Sequence, residues 1–271
     1  MKLIRPSFII ETKKNMLDAK TKINDFWEQG LILGAAISEI DDIIENHFGG
    51  TGIVKRLETY GRTCYKSEEK ITNDSFNRFL RKIIDSGHHS VLEHESISVR
   101  IICDRGVSHE IVRHRLASYS QESTRYCDYS NGHITFIIPP WVNIPEGIYT
   151  CELDILNGIK KNNPSLNEDF VWFQPKSALE AEFTWCASMG DIEFVYQTLR
   201  KNHNWSPQEA RSVLPNSLKT EIVMSCNLRE WRHFFTLRTS IKAHPQMREI
   251  AIPMLKEFQK FIPIIFDDII I

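Results

Sequence analysis

The sequence is poor in everything that would take it out of the ordinary globular class. Its 271 residues include only 12 Gly and 11 Pro, too few for a collagen-like or low-complexity chain. Six Cys, at positions 64, 103, 127, 151, 186 and 226, are scattered without a C-x-x-C pair, a pattern of reduced thiols rather than of a disulfide framework or zinc ribbon. Neither sign of charge dominates: 33 Lys+Arg stand against 35 Asp+Glu, a net -2, which argues against nucleic-acid binding through bulk positive charge. No apolar run approaches the roughly 20 residues of a membrane span, and the N-terminus lacks the order of a signal peptide. These absences predict a cytoplasmic protein with no membrane and no nucleic-acid partner. What is present, 42% hydrophobic and 25% charged residues, is enough for a sizeable core.

Periodicity sets the expected elements. Met1 to Ile10 reads as a short strand. Glu11 to Thr51 carries a helix-like stripe of Ile37, Ile40, Ile44 and Phe48 before Gly49-Gly50-Thr51-Gly52, and residues 11–54 are read as an inserted segment. The glycines follow a helical pattern rather than a strand and lack a complete phosphate-loop signature, so a plain turn is expected there. Asp74 is placed to cap a helix whose Phe76, Phe79, Leu80, Ile83 and Ile84 share one face, with Gly87 just beyond. Ile97, Val99, Ile101 and Cys103 alternate as a strand, followed by a turn at Arg105-Gly106 and a helix from near Ser108.

Further along, His133 to Ile138 predicts a strand closed by Pro139-Pro140, and Lys176 to Asn202 a helical region broken at Gly190. Ser206-Pro207-Gln208-Glu209 is a capping box with Pro at the first helical position, and places Arg211 inside the helix it starts. Leu218 to Met224 alternates. Asn227 with Glu230 offers another helix start, with Trp231, Phe234 and Phe235 as its buried stripe, and Met247 to Phe261 a last helix containing Pro253.

The densest polar stretch runs from Arg113 to Tyr126, with Arg113, His114, Arg115 and Arg125 among Ser118, Ser120, Gln121, Ser123 and Thr124. Guanidinium forks and short hydroxyls suit anionic oxygens, while the bland alternative is a solvated basic helix end. The order Arg113-His114-Arg115, seven residues, then Ser123 resembles the signature of flavin-dependent thymidylate synthases. Gly87-His88-His89-Ser90-Val91-Leu92-Glu93-His94 is similar to that family's G-H-x-[ST]-x-x-E-H segment. Ala210 to Pro215, Asn227-Leu228-Arg229, Leu237-Arg238 and His244-Pro245-Gln246 follow in the family's order, so the likeness spans roughly Tyr60 to Phe261.

The resemblance implies an α/β (α+β) fold, a mixed sheet flanked by helices in one domain over 1–271, and a homotetramer with shared active sites. It implies methylation of dUMP to dTMP with FAD as cofactor and NADPH and methylenetetrahydrofolate as co-substrates. Carried over residue by residue, it puts flavin contacts at His88, Ser90, Arg113, His114, Arg115, Gln121, Asn227, Leu228, Arg229 and His233. Nucleotide contacts fall at Glu110, Ile111, Val112, Arg113, Gln121, Glu122, Ser123, Thr124, Arg125, Arg211 and Arg238. Arg238, on the apolar side of its helix, needs an anionic partner; beside uracil N3 and O4 it would stabilise the charge that makes C5 nucleophilic. Many relatives have Asn and Glu at the positions of Ser120 and Gln121, Asn at that of His233, and Gln at that of Glu110. His88, Glu93 and His94 are competent metal ligands, but no metal motif is present and none is expected. Cys127 is the nearest thiol for a cysteine-dependent alternative, without an evident base.

Overall fold

The computed structural model describes residues 1–28, 42, 44–46, 49–163 and 178–271. Two compact units are assembled from interleaved stretches of chain. One takes in Met1–Ser7, Ile101–Arg113 and Ser120–Ile222, the other Phe8–Arg100, His114–Tyr119 and Val223–Ile271.

Strands β1 (Lys2–Ile4) and β2 (Ser7–Ile10) open the chain. The single strand expected there is two, divided around Pro6, which has no N–H to give to a ladder. Helix α1 (Glu11–Glu28) follows without a break. Ile37, Ile40 and Phe48 of the expected stripe lie outside the described residues, while Ile44 is buried. Helix α2 (Gly50–Thr63) replaces the expected glycine turn, with Gly49 as its extended cap. The reason is close packing: a Cβ on Gly50 would collide with the Phe261 carbonyl oxygen. A 3-10 turn at Glu68–Lys70 precedes α3 (Ser75–Asp85), which buries Leu80, Ile83 and Ile84. Gly87 follows at φ +70°, the left-handed conformation that ends helices. Asp74 does not cap α3; its carboxylate accepts instead from Thr72 Oγ1 at 2.9 Å.

Strand β3 (Ser96–Asp104) buries the alternating set as expected and runs straight into α4 (Arg105–Ile111). The expected turn is absent because Asp104 caps the helix itself, accepting from the Val107 N–H at 2.7 Å. Strands β4 (Ala117–Gln121), β5 (Thr135–Ile137) and β6 (Gly147–Ile148) follow, then α5 (Glu152–Asn162) and α6 (Ala178–Lys201). Helix α6 continues through Gly190, since one interior glycine costs only about 1 kcal/mol against alanine. The capping box forms at Ser206 and Glu209, but α7 (Pro207–Ala210) lasts a single turn. Arg211 therefore opens a 3-10 turn rather than sitting within the helix. Strand β7 (Lys219–Asn227), α8 (Leu228–Arg238), α9 (Pro245–Phe261, with Pro253 inside) and α10 (Pro263–Phe266) complete the chain.

The strands make two sheets, giving the mixed α/β class expected. In one, β1 lies between β5, to which it is parallel, and β6, to which it is antiparallel. The other has the order β2-β3-β7-β4. The first unit's core gathers around Leu3, Phe136 and Tyr196. In the second, Trp231, Phe234, Phe235, Phe258 and Phe266 are fully buried against one another. The Trp231 indole N–H donates to the Ile97 carbonyl at 3.0 Å, which satisfies the one polar atom of that cluster. Truncating Trp231 to alanine would cost about 3–5 kcal/mol; its burial is what holds α8, and the polar residues α8 carries, in place. No described helix is long and apolar enough to cross a membrane.

Candidate active site

Helix α8 starts where Asn227 Oδ1 accepts from the Glu230 N–H at 2.9 Å. The Glu230 carboxylate does not return to the cap. It is buried and meets His114 Nδ1 at 3.0 Å, while His114 Nε2 lies 3.0 Å from Arg238 Nε. A guanidinium can only donate, so Nε2 must present its lone pair, and Nδ1 carries the proton that goes to Glu230. The partners thus select one neutral tautomer of His114. Burial lowers the His114 pKa, and the nearby Arg238 and His233 act in the same direction, against the Glu230 hydrogen bond. The Tyr119 hydroxyl donates to the His114 carbonyl at 2.7 Å, and the ring packs 4.9 Å from that of Phe234. This geometry makes His114 the residue that holds Arg238.

The other flavin-assigned residues of this unit are exposed, with two exceptions. Asn227 is partly buried and spends its side-chain oxygen on the cap. Leu228 is fully buried and gives its N–H to the Glu95 carbonyl at 3.0 Å. His88 Nδ1 lies 3.2 Å from the Tyr65 hydroxyl; Ser90 and Arg115 face solvent. Arg229 pairs with Glu93 at 2.5 Å, and His233 packs edge-on to His114. A cleft of about 690 Å³ brings together Asn227, Arg229 and His233 with His89, Glu93 and Leu116. Its volume falls in the range of cofactor pockets. Its half-exposed Arg229–Glu93 pair is of a kind worth little in water and open to replacement by a stronger anion, so the residues present fit a flavin nucleotide.

In the other unit, Glu110 is half-buried, Ile111 buried and Val112 exposed at the end of α4, with Arg113 exposed beyond it. The Gln121 amide donates to Ser108 Oγ at 2.9 Å and Thr220 Oγ1 at 3.3 Å. Glu122 is engaged by the Tyr129 hydroxyl at 2.8 Å and Lys219 Nζ at 3.1 Å. Ser123 Oγ accepts from the Arg125 N–H at 3.3 Å, Arg125 Nε donates to Gln208 at 3.2 Å, and Arg211 reaches Thr124 at 3.5 Å. Ser123, Thr124, Arg125 and Arg211 therefore form one cationic, hydroxyl-bearing patch. Burial raises the Tyr129 hydroxyl pKa far above its usual value, with Glu122 adding to it, so Tyr129 acts as a donor.

Sequence reasoning read Glu230 only as a capping residue, and did not single out Tyr119, Tyr129, Lys219 or Gln208. An acid at a helix start that is also next to an apolar stripe was the available signal for Glu230. His114, Glu230 and His233 place ligand atoms within 4.8 Å of one another, but a metal ion there would have to displace the Arg238 or Glu230 bond to His114.

A family model described as thymidylate synthase complementing protein matches residues 51–264. A flavin-dependent thymidylate synthase from Mycobacterium sp. (strain KMS) is 36% identical over 230 residues, covering 81% of this chain and 80% of that protein. This chain belongs to the flavin-dependent thymidylate synthase family. The Mycobacterium marinum member of that family is 34% identical over 226 residues, with 81% and 80% covered. Among solved structures, the fold is similar to thymidylate synthase X of Helicobacter pylori with FAD and dUMP, at a TM-score of 0.58 and 22% identity over 79% of this chain and 93% of that one. It is also similar to the UMP/dUMP methylase PolB of Streptomyces cacaoi bound with 5-Br dUMP, at a TM-score of 0.60 and 19% identity over 98% and 96%. Within one unit, Glu230, His114 and Arg238 form a linked triad; within the other, Arg125 and Arg211 make longer contacts to neutral groups.

Proposed function

We propose that this chain is a cytoplasmic enzyme that methylates dUMP to dTMP, as a homotetramer of one family domain over 1–271 with active sites shared between subunits. FAD is its cofactor, and NADPH and methylenetetrahydrofolate are its co-substrates. What carries the reading is that the Arg113-His114-Arg115 to Ser123 segment lies inside the family match and delivers its histidine to Arg238. Bound FAD supplies the hydride chemistry that turns the folate one-carbon unit into a methyl group.

The chain's own residues bind and polarise. Arg125, Arg211, Ser123 and Thr124 take the nucleotide phosphate, with Glu110, Ile111, Val112, Arg113, Gln121 and Glu122 completing that side. His88, Ser90, Arg113, His114, Arg115, Gln121, Asn227, Leu228, Arg229 and His233 surround the flavin. Arg238, oriented through its Nε by His114, holds the uracil ring in its electron-rich form, as a fixed donor aimed at developing charge. Ser123 has no general base among the described contacts, so its role is binding rather than attack.

The test is the visible spectrum of the purified protein. A yellow protein whose flavin band is bleached by NADPH under anaerobic conditions, and which then yields dTMP from dUMP and methylenetetrahydrofolate, is expected. A colourless protein that takes up no added FAD would reject the reading.

A further inference from the structure

A second cleft, of about 720 Å³, lies in the unit that contains His114, and it is lined by Lys70, Arg78, Lys82, Arg62, Tyr65 and His88 among others. No acidic side chain lines it, in a chain whose net charge is -2. Arg62 is neutralised by Glu58 at 2.6 Å and lies over the Phe79 ring at 4.8 Å, so it belongs to the wall. The other three cations are exposed and make no side-chain ion pair or hydrogen bond among the described residues. Arg78 and Lys82 stand one turn apart on α3, where like charges repel and weaken a helix. Nothing in the fold needs that arrangement, because α3 is held by its opposite, apolar face.

We propose that this cleft binds the γ-linked glutamate tail of the folate co-substrate, an inference that rests on the function proposed above. The chemistry of the walls selects this class. Ser67 and His88, which line the cleft, each precede a short 3-10 turn, but no glycine-rich turn or α-helix N-terminus lines it to offer the converging backbone N–H groups that a pyrophosphate prefers. Instead, three separate cations, Lys70, Arg78 and Lys82, share the lining with the apolar side chains of Tyr65, Phe79 and Ile83. A γ-glutamyl chain matches that mix, because each unit carries one free carboxylate directly on its Cα and is spaced from the next by two backbone methylenes and an amide. His88, which also lines the cleft, is the residue the family resemblance assigns to the flavin, so a tail lying here leads toward the redox centre.

The experiment uses fluorescein-labelled penta-γ-glutamate and anisotropy at low salt, on the purified full chain. The wild type should bind it, and Lys70→Gln/Arg78→Gln/Lys82→Gln should weaken binding by about tenfold or more, at roughly a factor of two to five per exposed charge. A control, Lys160→Gln/Lys161→Gln/Lys201→Gln, removes the same charge elsewhere and should leave binding within about twofold. In turnover, the triple variant should raise KM for the pentaglutamyl folate to that of the monoglutamyl form, leaving kcat and the KM for dUMP alone. Equal weakening in the control, an unchanged affinity in the cleft variant, or a rise in the KM for NADPH instead would overturn the proposal. If the chain makes no dTMP, the proposed function fails, and the probe binding still decides for or against the cleft.

Discussion

The two units of this chain treat arginine in opposite ways. Arg125 and Arg211 are exposed, and their contacts to Gln208 and Thr124, at 3.2 and 3.5 Å, are long and between a cation and neutral groups. Arg238 is partly buried, and its Nε is fixed at 3.0 Å on a histidine that is itself fixed at 3.0 Å on a buried glutamate. Under the proposed function, the difference separates two kinds of work. A loose, solvated guanidinium supplies affinity for an incoming phosphate, because it loses little on being recruited. A guanidinium whose orientation is set before substrate arrives supplies stabilisation of charge that develops later, without reorganisation.

The largest expected effect breaks the comparison on its rigid side. Arg238→Ala should lower kcat with dUMP by about 10²–10³-fold, the range for removing one preorganised donor. Flavin content should be retained, as read from the visible band of the purified variant. Near-normal turnover would remove Arg238 from the chemistry. On the loose side, Arg211→Ala should raise the KM for dUMP by about 10–100-fold, the value of one charge-assisted hydrogen bond, with kcat changed far less. If Arg211→Ala depressed kcat as deeply as Arg238→Ala, the division of labour between the units would be wrong.

Much of this was legible from periodicity and motif order, and the failures share a cause. β3, β7, α8 and α9 emerged as expected because their apolar positions repeat at 2 or 3.6 residues and one face is buried. The errors fell where tertiary contact overrode local grammar. Gly49 to Gly52 reads as a turn, but Gly50 is needed for the approach of the Phe261 carbonyl. The motif order singles out Arg238 as a candidate, but its orientation is not legible, because the link from Glu230 to His114 joins residues 116 positions apart. Glu122 is a nucleotide contact by the resemblance, and the sequence carries no sign that Lys219 and Tyr129 engage its carboxylate.

The smallest of the expected effects sharpens the rigid side, because it tests whether Glu230 acts through His114. Glu230→Ala should lower the plateau kcat by roughly tenfold, about one charged hydrogen bond to a positioning group. Glu230→Gln, whose amide oxygen still accepts from Nδ1–H, should recover most of that loss. The pH profile carries a sign that a merely structural role would not produce. In the fold, burial holds the His114 pKa below its ordinary value of 6.5, so the unfolded chain takes up this proton first as pH falls. The stability contributed by neutral His114 is therefore complete above 6.5 and is lost as pH falls through the lower folded-state value. A proton on Nε2 also breaks the bond to Arg238 and sets two cations side by side. Since Glu230 raises the His114 pKa while burial, Arg238 and His233 lower it, removing Glu230 should move the acid limb of kcat to lower pH. An acid limb that stays in place in Glu230→Ala, with the same loss in Glu230→Gln, would make Glu230 a packing residue and leave Arg238 to be oriented by something else.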